Sequence, residues 1–157
     1  MIQVGDKIPA ISVSTIFAGV TAAVSTEDLF ADKKVVLFAL PGAFTPTCSA
    51  SHLPGYIVKA DDIFSKGVDM IACLSVNDAF VMKAWADSQN AEQITMIADG
   101  GADLTKAMGL DMDSGSFGGI RSRRYAMIIE DGVVTALNVE EPKSFEVSSA
   151  EAMLELL

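Results

Sequence analysis

Apolar residues along this chain are grouped in short runs that alternate with amphipathic segments. Residues 35–40 (VVLFAL) are wholly apolar, and a Pro-Gly pair follows them, which predicts a strand buried on both faces with a helix after it. Residues 68–76 (VDMIACLSV) predict a second strand, and Asn77 or Asp78 can cap the next helix. The face predicted to be apolar in that helix carries Phe80, Val81, Ala84 and Trp85.

Three further patterns predict strands in antiparallel or edge positions. Residues 94–98 form a third short apolar run. Residues 125–130 and 133–139 flank the dipeptide Asp131-Gly132, which is typical of a two-residue hairpin turn. Residues 11–24 predict an additional hairpin near the start, whereas residues 104–119 are a glycine-bearing connection to which we assign no element.

The end of the chain predicts a closing helix. Ser148 and Glu151 have the spacing of a capping box, and Met153, Leu154 and Leu157 follow at helical intervals. Strand and helix therefore alternate twice before an antiparallel hairpin and a last helix. This order predicts an α/β protein with a central mixed β-sheet and helices on both faces, the thioredoxin-like arrangement.

Composition narrows the possible functions. A chain of 157 residues, 50% of them hydrophobic, suits one domain spanning residues 1–157. The net charge of -10 argues against binding to nucleic acid or an anionic membrane surface. No apolar stretch has the length of a membrane span, and Asp6 and Lys7 interrupt the start, so we expect neither a transmembrane segment nor a secretory signal.

The few cysteines and histidines restrict the chemistry further. Two cysteines, Cys48 and Cys73, and the single histidine, His52, do not have the paired spacing of a metal site, so we expect no metal. Two cysteines are also too few for a disulfide framework, which predicts a reducing, cytoplasmic location. No glycine-rich phosphate loop is present, and we expect no nucleotide cofactor.

The segment PGAFTPTC places Cys48 in the first turn of the predicted helix. Thr45 suits the N-cap, and Pro46 suits the first helical position. Free N–H groups and the helix dipole there favour a thiolate, but they supply only about 0.3 to 1 kcal/mol, or about 2 at most. A reactive sulfur would therefore need a nearby cation as well. The alternative is a buried cysteine that acts as a small apolar residue.

Two other arrangements of a catalytic cysteine are disfavoured by the sequence. TPTC is a C-x-x-C motif whose first cysteine is replaced by Thr45, which excludes a dithiol exchange site. His52 lies one helical turn after Cys48 and could be the base of a cysteine hydrolase or a packing and hydrogen-bonding residue. Such hydrolases usually bring their histidine from a distant segment, which favours the second interpretation.

The same segment carries a resemblance to a known family. PGAFTPTC is similar to the P-x-x-x-T-x-x-C active-site motif of peroxiredoxins. VGDKIP, SHLPGY, CLSVNDAFVMKAW and RSRRYAMIIEDG resemble the type II, or peroxiredoxin-five-like, branch, so the resemblance spans nearly the whole chain. It implies a thiol peroxidase on a thioredoxin-like fold that reduces hydrogen peroxide and organic hydroperoxides.

The resemblance also implies roles for individual residues. Cys48 would be the peroxidatic cysteine that attacks the peroxide, Thr45 would hydrogen-bond the peroxide and the sulfur, and Pro41 would shield the sulfur. Arg124 would supply the cation, unless Arg121, Arg123 and Arg124 form an ordinary solvated cluster. Two aromatic residues, Phe44 and Phe117, would border the substrate pocket, although Phe117 could equally be a plain core or loop aromatic.

The oxidised sulfur must be reduced again, and the sequence offers one internal candidate. Cys73 matches the second cysteine of plant-type members but lies on a strand predicted to be buried, which favours an inert core cysteine. Members that resolve through a C-terminal cysteine have their counterpart here in Ser148 or Ser149. We therefore expect an external thiol, glutathione with glutaredoxin first and thioredoxin second, and the resemblance implies a homodimer.

Two other functions compete with a peroxidase at this stage. A cysteine hydrolase would depend on His52 and act on an acyl substrate. A thioredoxin-like binding module without catalytic activity would not need the sulfur of Cys48 at all.

Overall fold

The computed structural model describes residues 1–157. The strands are β1 (Ser12–Phe17), β2 (Val20–Ser25), β3 (Lys34–Ala39), β4 (Met70–Ser75), β5 (Thr95–Ala98), β6 (Asp111–Asp113), β7 (Ile120–Ser122), β8 (Tyr125–Glu130) and β9 (Val133–Val139). The α-helices are α1 (Thr26–Phe30), α2 (Leu53–Phe64), α3 (Ala79–Gln89), α4 (Asp103–Ala107) and α5 (Ala150–Leu156). A π-helical turn, Cys48–His52, precedes α2, and a 3-10 turn, Gly115–Phe117, lies between β6 and β7.

Seven of the strands form one mixed sheet in the order β2-β1-β5-β4-β3-β8-β9. The three central strands β5, β4 and β3 run parallel to one another, and β1 and β8 pair antiparallel on either side of them. The short strands β6 and β7 form a separate antiparallel pair. The predicted α/β class and the thioredoxin-like mixed sheet are confirmed.

The central strand β3 contributes to the core on both faces of the sheet, as its unbroken apolar sequence predicts. Val36 and Phe38 pack in one apolar cluster with residues of α2, α3 and α5. Val35 and Leu37 alternate with them and pack in the second cluster with residues of α1 and α4. Helices therefore cover both faces, and the loop that follows β3 leaves the sheet at its centre.

The two predicted hairpins are also confirmed. Asp131 and Gly132 join β8 to β9 with φ values of +48° and +77°, which is the left-handed pair that a type I′ turn requires. β1 and β2 pair in full register across Ala18 and Gly19, whose φ values are also positive.

Two predictions of helix detail are wrong. The N-cap of α5 is Ser149, whose hydroxyl accepts from the Ala152 N–H, because the hydroxyl of Ser148 donates instead to the buried carboxylate of Glu140. In α3, Asp78 is the cap, but Phe80 is 85% exposed while Met82 is buried beside Trp85. The buried face of α3 is therefore set by Met82 and Trp85, and the predicted apolar face is wrong for both Phe80 and Ala84, which are exposed.

The 104–119 segment, to which no element was assigned, contains most of α4, strand β6 and the 3-10 turn. No helix of the protein combines the length and the apolar character needed to cross a membrane.

Candidate active site

The loop that follows β3 turns sharply and starts a helix. Thr45 is the N-cap, as predicted, because its carbonyl accepts the first helical hydrogen bond from the Ser49 N–H at 2.9 Å. Its hydroxyl does not cap the helix but donates to the Gly42 carbonyl at 2.6 Å. Phe44 adopts a left-handed conformation with φ of +60°, which completes the turn.

The helix begins at Pro46 and widens at once into the π-helical turn Cys48–His52. The Leu53 N–H donates to the Cys48 carbonyl, five residues back, and Pro54 has no N–H with which to continue a regular ladder. The turn directs the side chains of Cys48 and His52 to the interior, where they are 1% and 0% exposed.

Arg124, immediately before β8, brings its guanidinium to the sulfur. Nη2 of Arg124 donates to Sγ of Cys48 at 3.1 Å, and Nη1 lies 2.7 Å from Nδ1 of His52. The guanidinium also lies 5.8 Å from the ring centre of Phe145, within the range of a cation–π contact. The alternative of a solvated arginine cluster therefore does not hold for Arg124.

His52 is enclosed and uses both ring nitrogens. Nε2 faces the carbonyl of Ser148 at 3.0 Å, and since a carbonyl only accepts, Nε2 carries the proton and Nδ1 accepts from Arg124. Burial, and secondarily the charge of Arg124, lower the pKa of His52 from 6.5 to about 3, so the ring is neutral. With both nitrogens engaged, His52 is not placed to act as a hydrolase base, in agreement with the packing and hydrogen-bonding interpretation.

Arg121 closes the other side of the turn. Its Nη1 donates to the Pro41 carbonyl at 3.4 Å, and its guanidinium lies 5.3 Å from the ring centre of Phe117. A Cβ at Gly118 would lie 2.3 Å from Nε of Arg121, so only glycine allows this approach. Arg121 thus ties the β6–β7 pair to the loop that carries Pro41.

A cavity of about 550 Å³ opens beside Arg124 and Pro41, and neither Cys48 nor Thr45 is among its lining residues. Its walls include Pro41 and Arg124 from the site and two further basic residues, Arg123 and Lys143. The remaining lining residues are Thr47, Met112, Glu140, Glu141, Pro142 and Ser144. Phe44 and Phe117 are not among the lining residues and are 57% and 84% exposed, so their assignment to a substrate pocket stays a prediction.

Cys73 lies inside the sheet and is fully buried on β4, opposite Phe38 and Met96 on the neighbouring strands. Both cysteines are free thiols. Burial, together with the nearby Cys48, raises the pKa of Cys73 well above its usual value, which favours the protonated thiol. No cluster of three or more His, Cys, Asp or Glu side chains could hold a metal ion.

Sequence reasoning missed two residues that shape the site. Asn77 was assigned only as a possible cap, yet its Oδ1 accepts from the Ala43 N–H at 3.0 Å and from the Ser75 hydroxyl at 2.6 Å. Glu140 carries no motif, yet it is 4% exposed and its Oε2 accepts four hydrogen bonds from residues 146–148. The only signal in the sequence for these two residues is a polar side chain one or two positions after the end of a strand.

Comparisons with known proteins agree with one another. Residues 3–154 match the family model described as Redoxin. The chain is 50% identical to peroxiredoxin-2E-2, chloroplastic, of Oryza sativa subsp. japonica, over 99% of this chain and 72% of that protein. It is 47% identical to peroxiredoxin-2D of Arabidopsis thaliana, over 99% of this chain and 98% of that protein. The crystal structure of reduced Prx3 in complex with H2O2 from Vibrio vulnificus is 62% identical, with a TM-score of 0.95 over 99% of this chain and 96% of that one.

Proposed function

The chain belongs to the peroxiredoxin family and is a thiol-dependent peroxidase, and we propose that Cys48 is the sulfur its peroxide substrate oxidises. The observation that carries this assignment is the 3.1 Å contact between Nη2 of Arg124 and Sγ of Cys48 at the start of a helix. A fixed positive charge and the free N–H groups of the first turn both stabilise an anionic sulfur.

The proposed reaction transfers one oxygen atom from the peroxide to sulfur. The Cys48 thiolate attacks the nearer oxygen of ROOH, the S–O bond forms as the O–O bond breaks, and both bonding electrons leave with RO⁻. RO⁻ takes up a proton and departs as an alcohol, or as water when the substrate is hydrogen peroxide. Sulfur is oxidised by two electrons to a sulfenic acid, and the peroxide is reduced by two.

The side chains around Cys48 suit this reaction. Because the hydroxyl proton of Thr45 is committed to the Gly42 carbonyl, its oxygen is left to accept from the O–H of a bound peroxide. Arg124 has further N–H groups that can follow the charge as it develops on the leaving oxygen. Pro41 lines the cavity together with Arg124, and we propose that its ring limits the access of water to the sulfur.

Reduction of the sulfenic acid requires a thiol from outside the chain. We propose glutathione with glutaredoxin, and thioredoxin as the second choice, because Cys73 is buried and protonated and Ser148 replaces a C-terminal cysteine. Glutathione carries two carboxylates and one ammonium group. Arg123 and Lys143 line the cavity without an ion-pair partner, and Glu141 lines it too, so its walls offer groups of both signs.

In this step the thiol sulfur attacks the sulfenic sulfur, an S–S bond replaces the S–O bond, and the oxygen leaves as water. A second thiol then attacks the mixed disulfide and releases Cys48 as a thiolate. Two thiols are thus oxidised to one disulfide for each peroxide reduced.

The experiment pairs the two cysteine variants. Cys48→Ser is expected to abolish peroxide consumption, because the other thiol, Cys73, is held in its protonated form and has no contact with Arg124. Cys73→Ser is expected to keep turnover with glutathione and glutaredoxin within about twofold of the wild-type rate, since its sulfur does not react. Mass spectrometry of Cys73→Ser after one equivalent of peroxide and then glutathione should find one glutathione adduct, on Cys48. Loss of turnover by Cys73→Ser with every reductant would show that Cys73 resolves the sulfenic acid.

We also propose that the protein is a homodimer that associates through the face around the site. Three of the four exposed phenylalanines support this, namely Phe44, Phe80 and Phe117, whereas the fourth, Phe17, lies at the end of β1. Phe44 is adjacent to Ala43, whose N–H donates to Asn77, and Asn77 lies three residues before Phe80. The guanidinium of Arg121 lies against the ring of Phe117 and donates to the Pro41 carbonyl.

The free thiols support a reducing location, for which we propose the cytoplasm. We also propose that the chain acts as one domain.

A further inference from the structure

A continuous line of hydrogen bonds runs from a buried carboxylate to the sulfur of Cys48. Oε2 of Glu140 accepts from the N–H groups of Glu146, Val147 and Ser148 at 2.7, 2.9 and 2.9 Å. It also accepts from the Ser148 hydroxyl at 2.7 Å. One carboxylate oxygen therefore fixes the backbone of residues 146–148, a segment without regular secondary structure of its own.

The carbonyl of Ser148 connects this fixed segment to two buried ring side chains, His52 and Tyr56. It accepts from Nε2 of His52 at 3.0 Å and from the hydroxyl of Tyr56 at 2.8 Å. The imidazole packs against three neighbouring rings, those of Phe38, Tyr56 and Phe145, at interplanar angles of 49°, 50° and 54°. The position of one carbonyl thus selects the tautomer of His52 that leaves Nδ1 free to accept.

The hydrogen bond between His52 and Arg124 orients the guanidinium of Arg124. A guanidinium is planar, and its two terminal nitrogens stand at a fixed angle, so the acceptor of Nη1 decides where Nη2 points. Nη1 of Arg124 is bonded to His52 at 2.7 Å, and Nη2 reaches the sulfur at 3.1 Å. Without that acceptor, the side chain could rotate toward the cavity that it also lines.

We propose that Glu140 and His52 are positioning residues for the peroxidase reaction, with Glu140 fixing residues 146–148 and His52 holding Arg124 on Cys48. The inference rests on the proposed role of Cys48. Glu140 acts through hydrogen bonds, so an uncharged acceptor of the same shape can replace it. His52 acts through its Nδ1 lone pair and does not exchange a proton with the substrate.

The experiment combines a spectroscopic and a kinetic measurement. The chain has one histidine, so two-bond ¹H–¹⁵N spectra give one set of ring signals that reports its tautomer directly. Stopped-flow fluorescence of the only tryptophan follows Cys48 oxidation, since Nε1 of Trp85 is bonded to the neighbouring Ser49 at 3.0 Å. The variants are Glu140→Ala, Glu140→Gln and His52→Phe.

The wild type should show the neutral Nε2–H tautomer at pH 7. Glu140→Ala should give a mixture of His52 tautomers. Its rate constant for Cys48 oxidation by peroxide should be about 10-fold to 100-fold lower, the usual cost of removing a residue that orients a group of the active site. Glu140→Gln should retain one tautomer and stay within about threefold in rate, because its amide oxygen can accept the same bonds. His52→Phe keeps the ring contacts but lacks Nδ1, and should lose about tenfold or more.

A matched control separates positioning from stability. Asp99 is a second buried carboxylate, and it accepts from the N–H groups of Leu104 and Thr105 and from the Thr105 hydroxyl, none of which belongs to the line of bonds from Glu140 to Cys48. Asp99→Ala should destabilise the fold yet keep the His52 tautomer and the rate of Cys48 oxidation.

A folded Glu140→Ala variant with the wild-type tautomer and rate would overturn the proposal. If Glu140→Ala does not fold, a wild-type rate for His52→Phe would overturn it. A wild type without peroxide reactivity would instead refute the role of Cys48, and the spectra would still test whether Glu140 fixes His52.

Discussion

At the scale of single residues, the site depends on one side chain that contacts two others at once. Nη2 of Arg124 contacts Cys48 while Nη1 contacts His52, and both distances come from one rigid group. A lysine ammonium in its place would be a point charge on a flexible stem and could not keep both contacts. The neighbouring Arg123 makes neither contact and lines the cavity instead.

We therefore expect Arg124→Lys to lower the rate constant for Cys48 oxidation by about 10-fold to 100-fold, because charge is retained but orientation is lost. Rapid mixing with hydrogen peroxide measures this rate. Arg123→Lys is the matched control and should stay within about twofold. Equal losses in the two variants would show that the general positive charge of the segment matters rather than the contact of Arg124.

His52 also makes stability depend on pH. Its pKa is about 3 in the folded protein and about 6.5 when unfolded, so on acidification the unfolded chain takes up the proton first. The full contribution is present above pH 6.5 and is lost progressively as the pH falls toward 3. Between pH 6.5 and pH 5, the free energy of unfolding should fall by about 2 kcal/mol on this account.

Urea unfolding at several pH values measures this loss, and His52→Phe provides the comparison because a phenyl ring cannot be protonated. The variant is expected to be less stable at pH 7 but to lose about 2 kcal/mol less than the wild type between pH 6.5 and pH 5. Parallel pH curves for the two proteins would exclude His52 as the titrating group.

At the scale of elements, the loop after β3 is held by the loop after β4. Asn77 accepts from Ala43 in the first loop and from Ser75 at the end of β4, so one amide oxygen joins the ends of two parallel strands. Trp85 of α3 adds a second tie, from Nε1 to the Ser49 hydroxyl at 3.0 Å. The π-helical turn that carries Cys48 is thus fixed from a neighbouring element.

Removing the hydrogen bond between Asn77 and Ala43 should affect both the stability of the protein and its peroxidase activity. Asn77→Ala leaves the Ala43 N–H without its partner, which we expect to cost about 1 to 3 kcal/mol and to slow Cys48 oxidation by about tenfold. Asp78→Ala removes the cap of α3 instead and should cost about 1 kcal/mol with little change in rate. Thermal unfolding and stopped-flow kinetics compare the two, and an unchanged rate for Asn77→Ala would contradict the expectation.

At the scale of the whole molecule, the acidic chain exposes eleven large apolar side chains. Three of them are Phe44, in the loop of the site, and Phe80 and Phe117, which lie close to residues bonded to that loop. A second copy of the chain would cover them and shield the loop from water. The net charge of -10 opposes this association, and salt reduces that repulsion at long range.

Phe80→Asp is expected to shift the protein from dimer to monomer at micromolar concentration, because it places a charge within the proposed interface. Sedimentation velocity measures the change. Val58→Asp is the control, since Val58 is an exposed apolar residue of α2, at 76% exposure, and is not tied to the loop of the site. A wild-type protein that sediments as a monomer would rule out this interface.

Sequence determined the sheet, its hairpins and the place of Cys48, because these follow from local signals. Apolar runs of strand length, the Asp131-Gly132 pair and a proline at the first helical position each restrict the backbone within a few residues. The motif that carries Thr45 and Cys48 is likewise contiguous. Arg124 was found by resemblance alone, since nothing in its own segment separates it from Arg121 and Arg123.

Only the tertiary structure decided what surrounds the sulfur. The contacts of Arg124 with Cys48, of His52 with Ser148, and of residues 146–148 with Glu140 join positions far apart in the chain, and no periodicity encodes them. The same holds for Ser148. Its spacing from Glu151 predicts a helix N-cap, but its hydroxyl donates to the buried carboxylate of Glu140 instead. A polar side chain takes the partner that packing brings within reach, and that partner is fixed only when the whole sheet has formed.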